Sequence, residues 1–119
     1  MAKYINDVVM NQGLNVISGS AVFAAICNAQ PTSVADVGTY GLGTVAFTDW
    51  TIEDGSTSGR KITAGIATLV VGTSGTIDHI GFYDADTLYG VGTIAPTAVT
   101  AAGTVITAAF ILTEIRDIT

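Results

Sequence analysis

Residues 77–94, IDHIGFYDADTLYGVGTI, decide the fold. Ile80 and Phe82 fall on one side of the first arm and Ile77, His79 and Tyr83 on the other, and Leu88, Val91 and Ile94 follow beyond Asp84-Ala85-Asp86. Alternation with period two, broken by a short acidic turn, predicts a β-hairpin, because successive strand side chains point to opposite faces. Gly81, Gly90 and Gly92 remove side chains within the arms, which predicts a bulge or another backbone close by.

Strand signals continue on both sides of this hairpin. Upstream, residues 21–27 form an apolar run bounded by Ser-Gly-Ser and Asn-Ala-Gln-Pro, which predicts a strand buried on both faces. Val45, Phe47 and residues 50–52 predict one further strand, and residues 60–66 and 67–71 two more, with Gly65 a candidate bulge. Residues 53–59 and 72–75 are turns. Downstream, Pro96 places residues 96–100 at an edge, since it cannot donate to a ladder. Residues 104–115, TVITAAFILTEI, predict one long strand, apolar on both sides and therefore central in a sandwich or buried by a neighbouring subunit. Residues 29–43 hold Pro31, Gly38, Gly41 and Gly43 without a sustained period and read as a long surface loop suited to contact with a partner.

Before the strands, Tyr4, Ile5, Val8, Val9, Leu14 and Ile17 suit one face of a short helix that weakens at Gly13 and ends in a turn at residues 18–20. The expected fold is therefore all-β: a single-domain β-sandwich or partly closed barrel of about seven or eight antiparallel strands with a short N-terminal helix. A chain of 119 residues supports one core, so residues 1–119 form one domain, with 1–18 helical and 19–119 the β-sandwich.

Composition narrows the function. Charged residues are 12% of the chain and hydrophobic ones 49%, so its surface must be covered by Thr, Ser, Gly and Ala or by another protein. Four basic residues against ten acidic ones give a net charge of -6, which repels phosphates and argues against a nucleic-acid partner. No stretch has the h-region of a signal peptide or the length of a membrane span, so no membrane partner and an origin in the cytosol are expected. Cys27 is the single cysteine and reads as a small buried hydrophobe.

Four arrangements bear on chemistry. His79 follows Asp78, but alternation places neighbouring strand side chains on opposite faces, so the two are not expected to pair as base and orienter. Asp84 and Asp86 lack the regular spacing of a calcium loop and read as turn residues. Residues 55–61, GSTSGRK, miss the phosphate-loop spacing, and Arg60 with Lys61 is expected to pair with an acidic patch on this chain or a neighbour. Tyr40, Phe47, Trp50, Tyr83 and Tyr89 are scattered, which suits core filling better than a carbohydrate platform. No catalytic residue, metal site or cofactor is expected, and the chain is not expected to be an enzyme.

The segments YINDVVMNQGLNVI, AAICNAQPTSVAD, YGLG, SGRKIT, IDHIGFYDAD and TEIRD together resemble small structural proteins of tailed bacteriophage virions. The resemblance spans most of the chain and carries no catalytic motif. It implies a Thr/Gly/Ala-rich β-domain that decorates a capsid as a cement protein or builds a tail, baseplate or fibre. The implied partner is the major capsid protein or another virion protein, with copies of the chain itself as a homo-oligomer, and the implied location is the virion. A carbohydrate- or receptor-binding β-module stays open as an alternative. Candidate interface residues are Tyr4 and Val8 in the N-terminal segment, Pro31, Val37, Tyr40 and Leu42 in the loop, and Arg60 and Lys61.

Overall fold

A computed structural model describes residues 7–56 and 58–115. Helix α1 (Asp7–Ser20) is followed by β1 (Phe23–Cys27), helix α2 (Val34–Tyr40), β2 (Gly41–Ala46), β3 (Trp50–Asp54), β4 (Arg60–Ala64) and β5 (Ala67–Val70). The chain then forms β6 (Gly75–Tyr83), β7 (Leu88–Val99), β8 (Thr104–Thr107) and β9 (Phe110–Ile115). All pairing is antiparallel, in three sheets ordered β2-β1-β6-β7, β3-β4-β9 and β5-β8. The fold is all-β and single-domain, with a short N-terminal helix.

The first sheet is the centre of the molecule because it is covered twice. Its strand β1 lies between β2 and β6, and four of its five residues are buried. Ala24 and Ile26 face the main core with Ile80 and Phe82, whereas Ala25 and Cys27 face the other way, towards Val37 of α2. Small side chains on that second face let a helix lie against the sheet. The ring of Phe82 stands at the middle of the core, with centroids of Trp50 at 4.8 Å, Phe47 at 5.2 Å and Phe110 at 6.0 Å. Helix α1 contributes Met10 and Leu14, one turn apart and both buried, with Ile17 on the same stripe.

Helix α2 corrects the expectation of a structureless loop at residues 29–43. Ser33 caps it with extended backbone, accepting from the Asp36 amide at 3.3 Å. The Asp36 carboxylate reaches back to accept from the amide of Thr32 at 3.0 Å and its hydroxyl at 2.8 Å. This reciprocal arrangement satisfies donors that a short helix would otherwise leave open. Helix α1 also differs from expectation: Gly13 does not interrupt it, and residues 18–20 are its last turn.

The hairpin forms as β6 and β7, joined through Asp84 and Thr87, but one expected parity is wrong. Ile77 lies in the core beside Ile80 and Phe82, all at most 1% exposed, although its sequence parity is opposite. The register explains it. Ile77 pairs with Thr97 and His79 with Thr93, so Asp78 faces the three residues Ile94, Ala95 and Pro96 across an irregularity that reorients the strand. Pro96 sits in this outward excursion of a terminal strand, where a missing N–H breaks no ladder. The piece expected at residues 96–100 is thus largely the end of β7.

Two further expected strands divide. Residues 45–52 split between β2 and β3, which belong to different sheets. Residues 104–115 split at Ala108-Ala109 into β8 and β9, each the last strand of its sheet rather than a central one. Opposite that break lies Gly65, between β4 and β5. The register runs from Ala64–Phe110 to Ala67–Thr107, so one long ribbon bends in both strands at the same level. The Thr107 hydroxyl bridges the bend, accepting from the Ala67 amide at 3.2 Å. A Cβ on Gly65 would displace the exposed Asp49 carboxylate, while the Gly65 amide donates to the Asp49 carbonyl at 2.8 Å.

Candidate interaction surface

Three of the expected contact residues are built into the interior. Pro31, Val37 and Leu42 are buried, because α2 lies on the central sheet and Leu42 belongs to that sheet's strand β2 instead of standing out in a loop. In this conformation their side chains pack inside the chain, where the sequence reading expected an exposed loop. Tyr40 is half-buried against the Cys27–Val37 cluster. Tyr4 lies outside the described residues, as does the side chain of Val8.

Arg60 and Lys61 find their acidic partners within the chain. Arg60 Nη1 is 2.7 Å from Asp54 Oδ1, and its Nε donates to Asn11 Oδ1 at 2.9 Å, which ties α1 to the β3–β4 pair. Lys61 Nζ stands 3.9 Å from Glu53 Oε1. Both cations lie in cross-strand register with those carboxylates, the geometry in which opposite charges meet on one face of a sheet.

His79 and Asp78 do pair, against expectation. Their Nδ1 and Oδ1 atoms are 2.6 Å apart, since the irregularity at Asp78 brings neighbouring side chains together. Cys27 stands opposite His79 in the register, so Cys, His and Asp follow one another across two strands. This order resembles a thiol nucleophile with its base and orienter, but the electrostatics oppose that role. Burial, and after it the nearby Asp78 charge, pushes the Cys27 thiol up to about 11. An activated cysteine requires an electropositive, accessible setting, whereas this one is fully buried and faces a carboxylate.

Asp84 closes the hairpin turn as a local acceptor. Its Oδ1 takes the amides of Asp86 and Thr87, both at 2.8 Å, and its Oδ2 takes the Tyr89 hydroxyl at 2.9 Å. The Asp86 amide, then Tyr89 and Thr87, hold its carboxyl below the usual range. Among the described residues no three His, Cys, Asp or Glu side chains gather around a possible metal position. Phe47 and Trp50 meet edge to face at 5.1 Å in the core, and Trp50 Nε1 donates to the Ala21 carbonyl at 3.2 Å.

A different surface emerges from β5, β7 and β8. The β5–β8 ribbon turns Leu69 inward and Thr68, Val70, Thr104 and Ile106 outward. Val70 is 63% and Ile106 68% exposed, and Ile66 beside them is 59% exposed. Residues 62–77 and 87–113 contain no Asp, Glu, Lys, Arg or His, so the strands of this side carry no formal charge. A groove of about 310 Å³ runs between β7 and β8, with Ile94, Thr97, Val105 and Phe110 among its lining. Large apolar side chains exposed together on strands without formal charge make this a candidate interaction surface. Residues 67–71 and 104–115 read as strands in the sequence, but which side of them would be left uncovered was not legible there.

Compared with protein families, curated proteins and solved structures, the chain matches none. No helix among the described residues is long and apolar enough to cross a membrane.

Proposed function

We propose that the chain is a structural protein of a bacteriophage virion, a decoration or cement protein that binds the outer surface of the head and stabilises the shell. The observation that carries the structural role is the exposure of Val70 and Ile106 on strands that hold no charged residue, in a chain of net charge -6. The assignment to a virion rests on the sequence resemblance described above. In this reading the chain forms homo-oligomers, contacts the major capsid protein, and performs no catalysis. Binding only to the assembled lattice would stabilise that lattice by linkage, because every contact is lost when the shell opens.

The test is imaging of intact particles of the encoding phage carrying a label after Thr119. Label spread over the head at symmetric positions is the expected result. Label confined to the tail would replace decoration by a tail, baseplate or fibre role. Particles free of label would remove the virion reading and return the carbohydrate- or receptor-binding module.

A further inference from the structure

We propose that the chain dimerises by exchanging its β6–β7 hairpin, each copy laying that hairpin on strand β1 of the other. This deepens the homo-oligomer named above and rests on that reading, not on the virion. The measurement below separates failure of the exchange from failure of self-association.

Register carries the inference. Strands β4, β5 and β6 pair in turn with β9, β8 and β7, so residues 60–115 are one hairpin folded at two corners. The first is the bend at Gly65, and the second lies between residues 71–74 and residues 100–103. Val70 pairs with Thr104 before this second corner and Gly75 with Val99 after it, so both arms spend the same number of residues on the turn. Opening the corner therefore straightens the ribbon without a slip. Residues 71–74 come opposite residues 100–103, and no paired side chain changes face.

The closed corner is strained. Ala102 has a φ of 67°, in the left-handed region that a Cβ disfavours, and no other non-glycine among the described residues has a positive φ. Backbone bonds hold it there: its amide donates to the Val71 carbonyl at 2.7 Å, the Val71 amide to the Gly103 carbonyl at 2.8 Å, and the Gly103 amide to the Thr100 carbonyl at 2.9 Å. Straightening relieves Ala102. It gives up the bonds from the Gly72 and Thr73 amides to the Leu42 carbonyl, at 2.6 and 3.1 Å, and puts ladder bonds through the opened corner in their place. A short hinge under strain is the feature that favours exchange of an element between copies.

The hairpin finds the same site on either chain. Strand β6 pairs with β1 from Phe23–Tyr83 to Cys27–His79, and Phe82 packs on Phe47 and Trp50. All of these partners precede the hinge, so a second copy offers the same strand edge and the same core. The occupant of each site is thus the segment that fills it within one chain, and reciprocal exchange is closed by a two-fold axis.

The full chain is unfolded in urea, refolded at micromolar and at submillimolar concentration, and sized by sedimentation. In His79→Cys, oxidised after refolding, the new thiol stands opposite Cys27, and a non-reducing denaturing gel shows whether the bridge joins one chain or two. Phe23→Cys with Tyr83→Cys in a Cys27→Ala background, at the other end of the same strand pair, repeats the measurement where His79→Cys fails to fold. The expected result is a monomer with an internal bridge at the low concentration and a dimer bridged between chains at the high one. Ala102→Gly, which leaves the closed corner unstrained, should weaken dimerisation by at least about tenfold. A dimer bridged within each chain overturns the exchange and leaves self-association standing, whereas a monomer at both concentrations overturns both. Bridges that run on into larger rings, or a dimer indifferent to Ala102→Gly, would also overturn the proposal.

Discussion

Strands β1 and β5 are both short apolar runs, FAAIC and ATLV, yet one is buried on both faces and the other alternates between buried and exposed. Hydrophobicity does not distinguish them, since Val70 is more apolar than Ala25. What differs is cover. Helix α2 lies on the outer face of β1, held by the reciprocal cap of Ser33 and Asp36, whereas no described element lies on the outer face of β5. The comparison teaches that a strand's burial depends on what folds over it and not on the apolarity of its own residues.

The sharpest way to break this comparison is at the shared core behind both strands. Phe82→Ala removes a fully buried ring that touches three others, and should lower stability by about 3–5 kcal/mol in urea denaturation. A loss no larger than that of a surface change would mean that the ring cluster does not hold the central sheet. Gly43→Ala acts at the seam between the central sheet and the ribbon. A Cβ there would stand 2.7 Å from the Val70 carbonyl oxygen, so backbone must move, at a cost of about 1–3 kcal/mol by the same measurement.

The cover on β1 is tested more gently. Ser33→Ala should cost about 1 kcal/mol through loss of the cap, with faster amide exchange confined to α2 and the strand beneath it. Acid probes the same cap and the hairpin turn. Hydrogen bonds from Thr32 to Asp36, and from Asp86, Tyr89 and Thr87 to Asp84, lower both carboxyls. Folded values below the unfolded one mean stability that is present above about pH 3.9 and lost as the pH falls through the lower folded values. Asp36→Asn and Asp84→Asn should each flatten that acid limb of urea midpoint against pH. The smallest effect belongs to the ribbon: at high dilution Ile106→Thr should change stability by no more than about 0.5 kcal/mol, because its side chain is already in water.

Much of the central sheet was legible. The double-sided burial of β1 followed from a continuous apolar run between turn signals, and the hairpin from alternation around Asp84 and Asp86. The cap of α2 was also in the sequence, as Ser33-Val34-Ala35-Asp36, but nearby glycines hid it and residues 29–43 read as loop. Three of the four contact residues chosen from that loop, Pro31, Val37 and Leu42, consequently fell inside the fold. For the ribbon, residues 104–115 gave a continuous β pattern with nothing to mark the bend at Ala108-Ala109, because a bend opposite Gly65 exists only when the two strands are paired.

By itself the sequence determined the all-β class, the hairpin and its turn, the N-terminal helix and the scarcity of charge, because propensity, period and composition are local properties. Only the tertiary structure decided that Ile77 joins Ile80, that Asp78 meets His79, that Arg60 and Lys61 are paired at home, and that Val70 and Ile106 remain uncovered. Each of these depends on register and on which element lies across the sheet, and both arise from contacts between residues far apart in the chain.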